Sequence, residues 1–440
     1  MRVRRGTGRE SYPQIGTDRC RRPGRAMPAA AIVLAAVLAS GPVGAEALRP
    51  PADWPPWARQ LARELAPLRA LAAPTDAVWE RLPVVRAEAR GIVGDGRTDA
   101  TRAIQAALDS LTDGGTLVLG RGIYVHSRRL VLRHRRTRIL GEGARLHASN
   151  PADMCISLEG DETELRGLEL SAITVRRGIR LETARVTVHG RGTRVLDNRI
   201  VGATSAGIWI HGARDFAIVG NRVTATLADG IHSSDGASNG YVARNVTDIT
   251  GDDGISVVSY LSGARSGRIL IEDNRVSNVH WARGIALVGA YDVLVRRNAV
   301  AGTERAAGII VTREQSFNTY GVDRVIVADN DVSGVARLPP LAPTETTGQA
   351  TIDVNAHVTP TPDLQVRQVL ISGNALRDGL TDGIRLLGGV CDVTVTGNEI
   401  RGMKGRAIAV VEPTCRTTLA RCAGNAVESG SPLPSACKRE

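Results

Sequence analysis

Apolar and polar positions alternate along most of this chain in short stretches that return at a fixed phase. From Val195 onward the phrase apolar-x-x-Asn-apolar recurs, with asparagine at 198, 221, 245, 274, 298, 330, 374, 398 and 425. The base period is 23–24 residues, lengthened in places by insertions. Nine or ten residues after most of these asparagines comes a second phrase, Gly-Ile-x-apolar, at Gly207-Ile208, Gly230-Ile231, Gly254-Ile255, Gly284-Ile285, Gly308-Ile309 and Gly383-Ile384. Twenty-odd residues are too few for a strand, a helical crossover and its turns, but suit three short strands and three bends. The pattern therefore predicts an all-β fold, a right-handed parallel β-helix, with equivalent residues stacked about 4.8 Å apart. The asparagines form one column whose amides bond along the stack. Strand alternation turns each Ile of Gly-Ile inward. The residues beside it then face solvent: Trp209 and His211, His232 and Ser234, Ser256 and Val258, Ala286 and Val288, Ile310 and Thr312.

Upstream, Gly94-Asp95-Gly96-Arg97-Thr98-Asp99 leads into residues 100–111, where Ala103, Ile104, Ala107, Leu108 and Leu111 fall at helical spacing. Thr98 or Asp99 is the expected N-cap, and the helix is expected to close the open apolar end of the stack. This opening, with Ala103-Ile104-Gln105, resembles that of the pectin-lyase-like superfamily over residues 91–430. The resemblance implies the β-helix fold with its capping helix. By itself it leaves function open, because the fold carries hydrolases, lyases, epimerases and non-catalytic stalks. The expected organisation is a signal peptide over 1–45, a partly helical extension over 46–90 with one helix near 57–71, and the β-helix over 91–440.

The formal charge of +11 suggests a nucleic-acid partner until it is divided along the chain. Residues 1–45 carry +6 of it, leaving +5, and basic clusters interleaved with aromatics are missing, so no nucleic-acid partner is expected. The leader has Arg21, Arg22 and Arg25, an apolar run over 29–38 and small residues up to Ala45. This is the plan of a secretory signal, and the run is too short to span a bilayer. A periplasmic or secreted monomer with no membrane insertion after signal removal is expected. Five cysteines remain in the mature chain. Cys391 and Cys415 each lie eight residues after equivalent landmarks, Gly383 and Ala407, and are expected to bridge neighbouring coils, leaving Cys422 with Cys437 and Cys155 free. Pairing 415 with 422 is the alternative.

Chemistry concentrates before the Gly-Ile landmarks. Asp229, Asp253, Arg283, Ala307 and Asp382 occupy the position just before the glycine, and Asp252 sits one place over. Hydrolysis of a glycosidic bond needs a proton donor for the leaving oxygen and a base for water, and stacked coils bring carboxyls together for both. The bland alternative is a turn dipeptide with a surface ion ladder, as Asp382-Gly383 illustrates. Asp229-Gly230-Ile231 followed by Gly251-Asp252-Asp253-Gly254-Ile255 is similar to the polygalacturonases. The resemblance implies Asp252 as general acid, with Asp229 and Asp253 orienting water and the anomer inverted. Inversion goes with carboxyl separations of roughly 6.5–9.5 Å, and retention with about 5–5.5 Å. The chain departs from that family at Leu227-Ala228, at Arg283 in place of its histidine, and at Ile310 and Thr312 in place of its carboxylate-gripping Arg and Lys. Galacturonan itself is thereby put in doubt, and an acidic or mixed polysaccharide is the expected substrate. Arg283, Trp209, His232 and His211 are the expected substrate-binding residues. Glu314, Tyr320 and Glu345 lie on insertions (260–268, 312–320, 338–348, 357–362) expected to wall the groove. No metal or other cofactor is expected, since no His-Cys cluster has zinc spacing. A lyase or epimerase of the same fold would lack a lysine base near Asp252, because only Lys404 and Lys438 occur, though Arg283 or Arg313 could serve. A non-catalytic glycan-binding protein explains the repeat as well, but not the clustering of acids on one face.

Overall fold

The computed structural model describes residues 49–338, 348–356, 364–429, 431 and 433–437. The leader, Glu345 and the 357–362 insertion lie outside them. Within the described residues three strands and three bends make each coil, and the coils stack into three parallel sheets of 13, 13 and 11 strands. The chain is a right-handed parallel β-helix, the hand that parallel crossover connections adopt. The first sheet starts with Val84–Arg86 and runs to Leu419–Ala423, the second from Asp95–Asp99 to Ala426–Val427, and the third from Leu130–Leu132 to Ile408–Val411. Ile208, Ile231, Ile255, Ile285, Ile309 and Ile384 are all buried, one above another in register, as the alternation requires. Ile352 continues this column between Ile309 and Ile384, although Thr351 stands where the other coils have glycine.

The asparagine column is a continuous ladder. Each Nδ2 donates to the Oδ1 of the next, from Asn198 to Asn221 at 3.1 Å through to Asn398 to Asn425 at 2.9 Å. The residue before every one of these asparagines is left-handed, with φ from 51° at Arg297 to 70° at Gly220. That conformation costs a residue with a Cβ about 1–2 kcal/mol, and Asp197, Arg244, Asp273, Arg297 and Asp329 adopt it here. The ladder offsets the strain by satisfying buried backbone at the same bend: Asn245 Nδ2, for example, also reaches Ile218 O at 2.8 Å.

The ends and flanks explain why one face is left for chemistry. Helix Thr101–Asp109 buries Ile104, Ala107 and Leu108 against the core at the upstream end. Its N-cap is Ala100 and neither of the expected residues; Asp99 still accepts the Thr101 N–H at 2.9 Å from one place earlier. The upstream extension forms helix Pro56–Leu65 followed by a 3-10 turn, Ala66–Ala72. Its apolar face, with Trp54, Ala58, Leu61, Ala62 and Leu65, covers Leu196, Ala217, Leu270, Leu294, Ile326 and Leu370 on the outside of the first sheet. Arg69 locks it there with two bonds to buried Glu272, at 2.6 and 2.7 Å. Among the described residues no such helix covers the outside of the third sheet. Cys391 bonds Cys415 and Cys422 bonds Cys437, while Cys155 is free and buried. Among the described residues no helix is long and apolar enough to cross a membrane.

The expectation that alternate residues of the third sheet face solvent holds only in part. Trp209, His211 and His232 are partly buried, and Ser234, Ser256, Val258, Ala286, Val288, Ile310 and Thr312 are buried. Tyr260 packs on Val258, Ala286, Val288, Ala307 and Ile310. Two of the insertions meet above them: Tyr260 pairs with Thr319, and the Leu261 N–H donates to Asn318 O at 2.8 Å. A roof of apolar contacts therefore covers the face downstream of the aspartates, while Trp209, His211 and His232 on the two coils just upstream stay partly exposed.

Candidate active site

Asp229 stands in the turn that enters strand Ile231–Ser234, and Asp252 and Asp253 stand in the same turn one coil on, before Ile255–Val258. Stacking brings one carboxylate oxygen from each of the three within 4.8 Å of the others. Three negative charges at that range need compensation, and the surrounding side chains supply it. His232 Nδ1 lies 2.6 Å from Asp229 Oδ2, and the Ser256 hydroxyl donates to the same oxygen at 2.7 Å. The Arg283 backbone N–H donates to Asp253 Oδ1 at 3.0 Å, its Nε lies 3.1 Å from that oxygen, and its Nη2 donates to Glu314 Oε1 at 2.9 Å. Arg177 pairs with Asp252.

Burial separates the behaviour of the three acids. Asp252 is the most open, with 21% of its side chain exposed against 7% for Asp253. Burial pushes Asp253 well above the usual carboxylate range. Arg283 opposes the shift, and the charges of Asp252 and Asp229 add to it. For Asp229, burial acts in the same direction but is outweighed by the His232 imidazole, the His232 and Ser256 hydrogen bonds and Arg177, so its carboxyl lies below the usual value. Burial and the nearby Asp229, Glu314, Asp235 and Asp252 push the Tyr260 phenol up to about 12. The cluster thus holds a carboxyl that favours its proton beside one that favours its charge, the requirement for acid and base work at one pH. The same three oxygens could ligate a cation, but Arg177, Arg283 and His232 already face them.

The expected site residues divide into two groups. Asp229, Asp252, Asp253, His232 and Arg283 converge, joined by Glu314 from the 312–320 insertion. Trp209 stands one coil upstream, edge-on to the His232 ring at 5.2 Å, its Nε1 donating to Ser234 Oγ at 2.9 Å. His211 lies apart from the acids, 3.3 Å from Asp235, with its ring tilted against that of His189 at 5.5 Å. Tyr320 donates its hydroxyl to Gly263 O at 3.3 Å and so braces the roof. Arg313 is buried. The expected gap of 6.5–9.5 Å between Asp252 and the other pair is not present between the nearest oxygens, because consecutive coils hold the turns one strand spacing apart.

Three features escape the sequence. Arg177 comes from an insertion 75 residues before Asp252, outside the landmark phase. Tyr260 lies on an insertion with no motif of its own. Asp353 is fully buried two coils beyond Arg283, paired with Arg385 at 2.6 Å and bonded by Asn355 Nδ2 at 2.6 Å. Its coil lacks the Gly-Ile phrase, and only the Asp-x-Asn alternation could have marked it.

Residues 84–323 match the family model described as rhamnogalacturonase A/epimerase, pectate lyase-like. No curated protein matches the chain. Among solved structures, the catalytic unit of the thermostable GH87 α-1,3-glucanase from Streptomyces thermodiastaticus is similar at 16% identity and TM-score 0.60, over 81% of this chain and 71% of that one. The Streptococcus pneumoniae surface adhesin PfbA is similar at 14% identity and TM-score 0.56, over 79% and 91%. The A-module of the Azotobacter vinelandii mannuronan C-5 epimerase AlgE4 is similar at 16% identity and TM-score 0.50, over 79% and 100%. At these identities the likeness is one of fold.

Proposed function

Since the chain belongs to the rhamnogalacturonase A/epimerase, pectate lyase-like family, a family of polysaccharide-active β-helices, we propose that it is an exported glycoside hydrolase acting on an acidic or mixed polysaccharide. The observation that carries this reading is the convergence of Asp229, Asp252 and Asp253 within 4.8 Å, with Asp252 partly exposed, beside a roofed face. Asp252, the most exposed of the three, protonates the leaving oxygen. The proton that burial keeps on Asp253 lies beside it as a reserve. Asp229, held ionised by His232 and Ser256, takes the proton of the attacking water. Bond breaking at the glycosidic carbon and bond making to water then leave one sugar hydroxyl on each fragment. Arg177 leaves Asp252 as the substrate seats, freeing the acid.

Inversion rests on the polygalacturonase resemblance, whereas the close carboxyl spacing argues for retention. The two disulfides, Cys391–Cys415 and Cys422–Cys437, support export to an oxidising compartment. A second reading, β-elimination or C5 epimerisation of a uronate, is favoured by Arg177 and Arg283, two cations at the acids that could neutralise a substrate carboxylate. The test is incubation of the mature chain with α-1,3-glucan, galacturonan, rhamnogalacturonan and mannuronan. Reducing ends without ultraviolet-absorbing unsaturated product support hydrolysis, and NMR of the first product assigns its anomer. Unsaturated ends, or epimerised residues without cleavage, refute hydrolysis.

A further inference from the structure

Five tryptophans occur in this chain, and their placement is uneven. Trp54 and Trp79 are buried, and Trp57 packs with the upstream helix on the first sheet. The remaining two, Trp209 and Trp281, are the ones whose rings meet solvent near the acids. Trp281 is 51% exposed, although a large aromatic left in water forgoes the burial that usually accounts for it. It sits two residues before Arg283, in the turn one coil downstream of Asp252: the next N–H pairings, His280 to Thr250 O and Gly254 to Arg283 O, set that register. Trp209 sits one coil upstream of His232 in the paired strand. The acids therefore lie between two tryptophans, with one coil of offset on either side.

Trp209 is held in place before any ligand arrives, and Trp281 is half in solvent. Trp209 is fixed by its indole bond to Ser234 and by the edge of His232. Trp281 is flanked by the Arg305 guanidinium, 5.8 Å from the ring centre. The two platforms are three coils apart along the stack, about 14 Å at the strand spacing, and stand in different columns, since Trp209 pairs through His232 and Ser256 with Ala286, five residues after Trp281. Sugar rings present apolar C–H faces to aromatic side chains, and a polymer laid obliquely across the coils would meet one tryptophan on each side of the carboxylates.

We propose that Trp209 and Trp281 are paired stacking subsites that seat a glycan obliquely across the coils with its scissile bond over Asp252, so that the ligand is an oligosaccharide or internal chain segment longer than a disaccharide. The proposal rests on the reading that the acid cluster acts on a glycan, and its test measures binding alone. Asp252→Asn protein, blocked in turnover, is titrated with hexasaccharides of α-1,3-glucan, galacturonan, rhamnogalacturonan and mannuronan. The indole N–H signals of Trp209 and Trp281, assigned by substitution, are followed by NMR. At least one hexasaccharide is expected to shift both signals, while the matching disaccharide binds at least tenfold more weakly. In the same background Trp209→Ala and Trp281→Ala each weaken hexasaccharide binding by roughly tenfold. Trp209→Phe and Trp281→Phe keep most of the affinity, which separates stacking from loss of the Ser234 bond or of the fold. Four hexasaccharides that leave both indoles unmoved, or alanine variants that bind as tightly as their parent, overturn the proposal. A wild-type chain that binds in this way yet releases no reducing ends would refute hydrolysis and leave the two platforms standing.

Discussion

Asp253 and Asp382 occupy the same place in two coils, one residue before a Gly-Ile pair and facing an arginine one coil on. Asp253 accepts the backbone N–H of Arg283 at 3.0 Å, and Asp382 that of Arg406 at 2.7 Å. Each arginine also approaches its aspartate with its side chain, Arg283 Nε at 3.1 Å and Arg406 Nη2 at 3.0 Å. The neighbours differ. Beside Asp382 stands Thr381, bonded to Gln349 O, and above it Ala350, so a single carboxylate meets a single guanidinium that is 47% exposed. Beside Asp253 stands Asp252 and above it Asp229, and the Arg283 side chain is 16% exposed. One repeat position thus gives a solvated ion pair in one coil and a crowded, buried acid cluster in another. The lesson is that the dipeptide carries no chemistry until a second carboxylate is stacked on it and water is withdrawn.

The contrast can be broken most directly by substituting the acids. Asp252→Asn is expected to lower kcat by roughly 10³-fold on whichever glycan is cleaved, the middle of the range for losing a general acid, with an unchanged melting temperature. Asp382→Asn should leave kcat as it was. An Asp252→Asn enzyme with near-normal turnover would remove Asp252 from the chemistry.

Arginine removal compares the two pairs as structural features. Arg283→Ala leaves buried Asp253 and half-buried Glu314 without their cation and is expected to cost about 1–3 kcal/mol of stability, measured by chemical denaturation, because Asp253 loses its hydrogen-bonded partner but can stay protonated. Arg406→Ala, at an exposed pair, should stay within about 0.5 kcal/mol. Equal losses would mean that burial does not distinguish the two sites.

The smallest expected effect is on pH dependence. Asp253 binds its proton more tightly in the folded chain than at the ordinary 3.8, so its contribution is present below that value and is lost as pH rises through its folded pKa. Asp229 has the opposite sign, contributing above 3.8 and losing that contribution as pH falls through its lowered pKa. Buried His126, lowered to about 3, adds stability as pH rises towards 6.5, so the Asp253 contribution is read as a difference: Asp253→Asn, which cannot ionise, should gain in melting temperature relative to the wild type as pH is raised from about 4. A profile that is the same in the variant would place the proton elsewhere in the cluster.

Most of the scaffold was legible from the order of residues. The asparagine phrase predicted a column that the hydrogen bonds complete from 198 to 425, and Gly-Ile predicted the inward isoleucines. The cysteine spacing predicted both bridges. These features depend on local period, which one strand spacing converts directly into contact. The aspartates were legible for the same reason, lying in phase on adjacent coils. The insertions were not, because their residues leave the period. Tyr260 and Thr319 meet across two of them, Arg177 reaches Asp252 from a third, and the exposure expected of Val258, Ala286 and Ile310 failed under that roof.

What the amino-acid order determined by itself was therefore the repeat: which residues point inward, which share a column, and that Asp229, Asp252 and Asp253 are neighbours. What only the tertiary structure decided was the surroundings of those acids, namely which cation faces each one, how much water reaches it, and which carboxyl keeps its proton. A repeat sets distance between coils through backbone hydrogen bonds. Proton affinity depends on burial and on charges brought from far along the chain, and no local pattern encodes either.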